Sequence, residues 1–128
     1  MAFYLEKPGT SSTPQVLIDE KKGYMKLEGM SYHENTIEFF EEIMDWLETY
    51  LDTDFRAFTF DCKMKYFNST TKKVLFEVFD LMNESASAGK EVVVNWFVNE
   101  DDDLLRELCD DIAEDYSNMK ININLTKF

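Results

Sequence analysis

The amino-acid sequence predicts an α/β fold: one five-stranded mixed sheet in the order ββαβαβαβ, with three helices mainly on one face. Three segments repeat apolar residues at helical spacing, and each is followed by a segment in which apolar and polar residues alternate. Strands separated by helices pair in parallel through right-handed crossovers. Because these strands alternate, one sheet face should lack helices. This arrangement requires sequential strand order, with an antiparallel first pair.

The first elements are predicted to be a loop and a β-hairpin. Residues 1–14 are rich in Gly, Ser, Thr and Pro, which indicates a lead-in loop. Residues 16–19 and 24–28 form two strand patterns, and Gly23 between them permits the positive φ that a tight turn needs.

The clearest helix begins after Asn35, a residue type suited to N-caps, and Glu38 stands where a capping box needs it. The apolar residues expected to face the core are Ile37, Phe40, Ile43, Met44, Leu47, Tyr50 and Leu51. The opposite face is acidic and contains no lysine: Glu38, Glu41, Glu42, Asp45, Glu48 and Asp52. This acidic face is either simply solvated or a docking surface for a basic partner.

The remaining elements alternate strand and helix. The strand at 58–66 has one apolar face, formed by Phe58, Phe60, Cys62, Met64 and Tyr66. A helix over 70–88 ends at Gly89, and a strand over 92–98 follows. The third helix starts in acidic residues and is lined by Leu104, Leu105, Leu108, Cys109, Ile112 and Tyr116. A last strand covers 121–126. No repeat or linker divides the 128 residues, so a single domain over 1–128 is predicted.

Composition and charge limit the function. The net charge of −13 argues against non-specific binding to nucleic acid or to anionic membranes. No apolar stretch is long enough to span a membrane, and the N-terminus lacks the pattern of a signal peptide. Cys62 and Cys109 are too few for a disulfide framework, so they are expected to be reduced core thiols of a cytoplasmic protein.

The most informative site is the junction at 66–73, where a strand pattern stops and a helical one starts. Ser69, Thr70 and Thr71 place three hydroxyls at the helix start. They are either ordinary caps or phosphorylation sites, since a phosphate there would face free N–H groups, the positive end of the helix dipole, Lys72 and Lys73. Phe76 lies off the inner arc of this helix and is a candidate interface anchor.

No convincing catalytic, metal or cofactor site is present. His33 is the only histidine, and with Glu34 it could act as a general base, but no nucleophile is paired with it by spacing. One histidine and two distant cysteines match no zinc-ligand spacing. The glycines are isolated, so there is no phosphate-binding glycine-rich loop.

Three motifs in order resemble the SiaC-type bacterial regulatory phosphoproteins: Ser12-Thr13-Pro14, Ser31-Tyr32-His33-Glu34-Asn35 and Tyr66-Phe67-Asn68-Ser69-Thr70-Thr71. That family is similar in structure to anti-sigma-factor antagonists of the STAS type. The resemblance implies a non-enzymatic partner switch that a cognate Ser/Thr kinase phosphorylates and a PP2C-type phosphatase restores. It also implies that the unmodified form binds and stimulates a diguanylate cyclase in cyclic di-GMP signalling.

The resemblance also implies site residues. The family acceptor is typically a threonine after Asn; here that position is Ser69, with Thr70 and Thr71 as alternates. His33 stands where the family commonly has proline. The expected partner-binding residues surround the acceptor and the segment before the first helix: Tyr32, His33, Glu34, Asn35, Asn68, Lys72, Lys73 and Phe76.

Three alternatives remain open at the level of sequence. The protein could be an interaction module that needs no phosphorylation, using the acidic helix or the open sheet face. That face would present Asp61, Lys63, Lys65, Asn95, Phe97 and Asn122. It could instead be an anti-sigma-factor antagonist, or a small enzyme that uses His33 and Glu34.

Overall fold

The structure, a computed structural model, describes residues 2–32 and 34–127. Its strands and helices alternate after an N-terminal meander. In chain order they are β1 Tyr4–Lys7, β2 Gln15–Asp19, a 3-10 turn Glu20–Lys22, β3 Tyr24–Ser31, α1 Thr36–Leu51, β4 Ala57–Phe67, α2 Ser69–Ser87, β5 Glu91–Asn99, α3 Asp103–Asp115 and β6 Lys120–Thr126.

The strands form one sheet in the sequential order β1-β2-β3-β4-β5-β6. β1, β2 and β3 pair antiparallel, and β3 to β6 pair parallel. This confirms the predicted mixed sheet with sequential order and an antiparallel hairpin. The sheet has six strands rather than five, because Tyr4–Lys7, within the predicted lead-in loop, pairs with β2. Four residues that include two charges carry too little periodicity to indicate a strand.

The core lies between the helices and one face of the sheet. Inward residues of the strands and all three helices form a single apolar cluster, in which Phe79 of α2 packs on Trp96 of β5 with ring centroids 5.2 Å apart. Cys62 and Cys109 are buried free thiols, as predicted. Burial raises the pKa of Cys62 to about 12, so this thiol stays protonated and unreactive at neutral pH.

Hydrogen bonds to the Glu20 carboxylate connect the start of the N-terminal strand to α1. The indole Nε1 of Trp46 donates a hydrogen bond to Glu20 Oε1 at 2.9 Å, and the backbone N–H of Phe3 donates to Oε2 at 3.3 Å. The Phe3 ring also stacks on Trp46, with centroids 5.8 Å apart. These contacts explain why a short, weakly periodic segment is ordered as an edge strand.

Three apolar side chains predicted to be inward are exposed. Tyr66 is 53% exposed because the pairing register of β3 and β4 shifts after Gly29. Gly29 pairs with Met64 and Met30 pairs with Tyr66, so the register skips Lys65. The alternation of inward and outward side chains along β4 is therefore reversed at Tyr66. Ile37 is 70% and Leu104 81% exposed. Both lie in the first turn of their helices, α1 and α3, at the edge of the apolar stripe.

The predicted capping box at α1 is wrong in one respect. Asn35 occupies the N-cap position, but its side chain makes no capping hydrogen bond within the part of the chain that the structure describes. Its ψ of 46° departs from the extended backbone that places a cap side chain under the helix N–H groups.

The C-terminus of α1 is stabilised by a lysine from elsewhere in the chain. α1 has no basic residue of its own. Lys90, which precedes β5, donates through Nζ to the carbonyls of Leu51 and Thr53. The same ammonium lies 4.5 Å from the ring centroid of Phe55. A cation is thus placed at the negative end of an acidic helix.

Replacing this lysine should destabilise the fold. We expect Lys90→Met to lower the free energy of unfolding by about 1 kcal/mol, because the last carbonyls of α1 lose their charged donor. Urea denaturation followed by circular dichroism measures this. Lys120→Met, at an exposed position of β6, is the matched control and should change stability by less than about 0.5 kcal/mol. Equal losses in the two variants would contradict the assignment.

Candidate functional site

The predicted site lies where β4 passes into α2. Asn68 is the N-cap of α2, with extended backbone at φ −82° and ψ 177°. Its side-chain oxygen accepts a hydrogen bond from the backbone N–H of Thr71 at 2.9 Å. The cap therefore satisfies the backbone N–H of the third helical residue and leaves the N–H groups of the first two residues facing the surface.

A buried chain of hydroxyls holds this turn against the end of β3. Ser31 Oγ and Thr71 Oγ1 are 2.7 Å apart, and both residues are buried. Thr71 Oγ1 also lies 2.8 Å from Asn68 Oδ1. The Ser31 carbonyl oxygen lies 3.2 Å from Thr71 Oγ1 as well. Because this carbonyl and the Asn68 oxygen can only accept, Thr71 donates its one hydroxyl proton to them and Ser31 Oγ donates to Thr71. The Asn68 backbone N–H closes the ring by donating to the Ser31 carbonyl at 2.9 Å.

The three consecutive hydroxyls have different environments. Thr71 is fully buried, Thr70 is half-buried, and Ser69 is exposed. Within residues 2–32 and 34–127, the Ser69 hydroxyl has no hydrogen-bond partner. An enzyme can reach Ser69 without disturbing the fold, whereas reaching Thr71 requires α2 to open.

The charges near Ser69 favour an anion on its side chain. Ser69 is the first residue of α2, at the positive end of the helix dipole. Lys72 and Lys73 are exposed and follow it at i+3 and i+4, the spacing that places side chains on one face of a helix. A phosphate on Ser69 would have two N–H groups and two ammonium groups within reach.

The other predicted contact residues lie partly around this turn. Tyr32 is exposed and meets the exposed Tyr66 edge-on, with centroids 5.8 Å apart. Glu34 is exposed, whereas Phe76 is half-buried and packs against the core. His33 lies outside the described residues. Sequence reasoning missed Tyr66 as a surface residue, because the register shift that exposes it depends on pairing with β3.

Asn35 is exposed and lies just before α1. The segment before α1 and the turn before α2 lie at the same end of the sheet. Parallel strands β3 and β4 both end there. The geometry therefore brings the two longer sequence motifs together, although thirty or more residues separate them in the chain.

The open sheet face satisfies its own polar groups. Asp61 accepts from the Tyr24 hydroxyl at 2.7 Å and from the Asn95 amide at 2.9 Å, and Asn122 donates to Asn95 at 3.0 Å. Burial, followed by the Asp61 hydrogen bond, raises the pKa of Tyr24 and keeps the phenol protonated. Lys63 lies 3.8 Å from Glu28. These groups therefore make contacts with one another across the sheet.

Possible metal ligands and membrane-spanning helices were sought among the described residues. In residues 2–32 and 34–127, no three His, Cys, Asp or Glu side chains are grouped as metal ligands. None of the helices described has the length and apolar character needed to cross a bilayer.

Comparison with known proteins identifies the family. The profile of the SiaC family regulatory phosphoprotein matches residues 7–126. This chain belongs to the SiaC family. An uncharacterised protein of Pseudomonas aeruginosa strain UCBPP-PA14 is 32% identical over 113 residues, covering 88% of this chain and 90% of the relative.

Solved structures of SiaC from Pseudomonas aeruginosa share the fold over nearly all of the chain. The apo-SiaC crystal structure is 30% identical, with a TM-score of 0.87, over 95% of this chain and 98% of that one. A second crystal structure contains the diguanylate cyclase SiaD in complex with SiaC, which is the activator of that cyclase. Its matching chain is 30% identical, with a TM-score of 0.88, over 95% of this chain and 99% of that one. The predicted family is confirmed, and the chain is a member of a family of regulatory phosphoproteins.

The buried hydroxyl chain predicts unequal effects at neighbouring threonines. We expect Thr71→Val to lower the free energy of unfolding by about 1–3 kcal/mol, because the Ser31 hydroxyl is left buried without its acceptor. Thr70→Val, one residue away and half-buried, is the control and should cost less than about 0.5 kcal/mol. Thermal and urea unfolding of both variants measure the difference; similar losses would show that the hydroxyl chain does not hold the turn.

Proposed function

We propose that this protein is a non-enzymatic, phosphorylation-controlled switch whose unmodified form binds and activates a diguanylate cyclase. The observation that carries this proposal is the exposed Ser69 hydroxyl at the start of α2, in a member of a family of regulatory phosphoproteins. The proposed place of action is the cytoplasm, where ATP is available to a kinase.

The identity of the partner is supported by the relative. Pseudomonas aeruginosa SiaC is the activator in a complex with a diguanylate cyclase, and the present chain matches it over 95% of its length. We therefore propose a diguanylate cyclase as the effector of this chain as well.

The proposed modification is transfer of a phosphoryl group to Ser69. The Ser69 Oγ attacks the γ-phosphorus of ATP, the bond from that phosphorus to the bridging oxygen breaks, and ADP leaves. The hydroxyl proton passes to a base of the cognate kinase. A PP2C-type phosphatase would reverse the step by hydrolysis, which releases inorganic phosphate and restores the alcohol.

Phosphorylation can control binding without unfolding the protein. The phosphate adds about −1.5 to −2 charges at neutral pH. The start of α2 tolerates this charge, since its N–H groups and lysines face it. A protein surface seated on the same spot must instead desolvate a dianion. A hundredfold loss of affinity requires only about 2.8 kcal/mol.

Removing the acceptor should abolish phosphorylation. The protein purified from its native cells should contain a fraction that is heavier by one phosphate, and the modified peptide should include Ser69. Ser69→Ala expressed in the same cells should lack that species. Intact-mass spectrometry with peptide mapping measures this, with Ser117→Ala as the control at an exposed serine. An unchanged phosphate on the Ser69→Ala protein would overturn the assignment.

A negative charge at the acceptor should weaken effector binding. We expect Ser69→Asp to lower activation of the organism's diguanylate cyclase at least tenfold, measured as cyclic di-GMP formed from GTP. Ser117→Asp carries the same added charge in the turn between α3 and β6, and should activate like the parent. Full activation by Ser69→Asp would refute charge control at this site, and no activation by the parent would refute the cyclase as effector.

A further inference from the structure

The last strand leaves one edge of the sheet unpaired. β6, Lys120–Thr126, ends the strand order, and among the described residues no strand pairs with its outer side. An edge of this kind presents a row of main-chain N–H and C=O groups to which another strand can add.

The two edges of the sheet differ in their protection. β1, at the opposite edge, has only four residues, of which Glu6 and Lys7 are charged, and Pro8 follows it. Short length, charge and proline are the features by which proteins prevent strand addition at an edge. β6 has seven residues, and residues 121–126 include no charge, glycine or proline. β6 is therefore the edge that is open to pairing.

Hydrogen bonds to β5 show which residues of β6 face outward. The Thr126 carbonyl accepts from the Glu100 N–H at 2.8 Å, and the pairing of β5 with β6 is regular from end to end. Both main-chain groups of a strand residue point to the same side, and successive residues alternate. Thr126 and the two asparagines of β6 therefore bind β5, whereas Ile121, Ile123 and Leu125 direct their N–H and C=O groups outward.

We propose that two copies of this chain form a dimer by antiparallel pairing of their β6 strands, with Ile123 facing its own counterpart across the two-fold axis. In this register Ile121 of one copy faces Leu125 of the other, and Asn122 faces Asn124. The outward residues of both copies then exchange main-chain hydrogen bonds, and the two sheets become one. The contact is self-complementary and closed, so it gives a dimer rather than a fibre.

Apolar side chains support this register on the face that the helices cover. Ile121 and Ile123 are half-buried and pack against the core, while Leu125 is 46% exposed. Pairing places Ile121 of the second copy beside Leu125 and continues the apolar layer across the axis. Apolar cross-strand pairs that include a β-branched residue stabilise neighbouring strands.

A row of amides supports the same register on the open face. The Asn122 amide donates to the Asn95 side-chain oxygen at 3.0 Å, and the Asn95 amide donates to Asp61 at 2.9 Å. Within the part of the chain that the structure describes, no group donates to the side-chain oxygen of Asn122. The Asn124 amide of the second copy can donate to it, because the two asparagines face each other in the proposed register.

Charges at the two ends of the pairing are complementary. Lys120 is exposed and faces Thr126 of the second copy in this register. Glu100 adjoins Thr126 through its main-chain hydrogen bond, and its carboxylate lies 3.6 Å from Lys127 Nζ. Lys120 of each copy thus approaches Glu100 of the other. An uncharged strand flanked by lysines suits the contact between two chains that each carry a net charge of −13.

Cysteine trapping tests the register. Asn122→Cys and Asn124→Cys proteins, mixed under mild oxidation, should form a disulfide-linked dimer, because directly opposed residues have Cα atoms about 4.5–5.5 Å apart. Each variant alone is the matched control and should cross-link at least tenfold less. Its two cysteines stand diagonally across the strands, beyond the reach of a disulfide. The native Cys62 and Cys109 are buried and do not compete.

A proline variant tests the main-chain hydrogen bonds. The parent should sediment as a monomer–dimer equilibrium that shifts with concentration. Leu125→Pro should raise the dissociation constant of the dimer at least tenfold, because it removes an outward N–H that β5 does not use. Glu6→Pro places proline at an exposed position of the other edge strand, β1, and should dimerise within twofold of the parent. Circular dichroism verifies that both variants are folded.

Each outcome decides the proposal. A parent that stays monomeric at every concentration, whether or not another protein binds β6, overturns the dimer. A dimer that Leu125→Pro leaves unchanged, or equal trapping of the single and mixed cysteine variants, places the contact elsewhere and overturns the β6 interface. None of these results depends on Ser69, so the switch proposed above stands or fails separately.

Discussion

The site depends on one hydrogen-bonded ring that joins Ser31, Asn68 and Thr71. It fixes the end of β3 to the first turn of α2, across 40 residues of sequence between the two hydroxyls. Each buried hydroxyl has a partner, so the ring adds specificity without leaving an unsatisfied polar group. Its consequence is a division of roles among neighbours: Thr71 is structural, and Ser69 is held outward at the helix start.

Sheet topology places the other residues of the proposed switch near that ring. Since β3 and β4 are parallel and adjacent, α1 and α2 both begin at the same end of the sheet. The proposed acceptor Ser69 and the exposed Tyr32–Tyr66 pair consequently lie at the same end of the sheet. A phosphate on the exposed Ser69 would change the charge of this surface without entering the buried apolar core. The proposed regulation would therefore not compromise stability.

Sequence patterns predicted the element order, the strand order and the region of the site, because periodicity and capping chemistry are local. They did not predict β1, which depends on Glu20 and Trp46, or the exposure of Tyr66, which depends on the register with β3. Residue type and spacing alone did not rank Ser69, Thr70 and Thr71; the family resemblance favoured Ser69 and kept the two threonines as alternates. Only the tertiary contact with Ser31 distinguishes the buried hydroxyl from the exposed one.

The central claim is that Ser69 lies in a locally electropositive environment on a strongly acidic protein. The most direct measurement is a phosphorus NMR titration of the protein carrying phosphoserine at position 69, folded and in denaturing urea. A free phosphoserine has a second pKa of about 6. The account predicts a lower phosphate pKa in the folded protein than in urea, with part of the shift lost in Lys73→Gln. A folded-state pKa equal to or above the value in urea would contradict it.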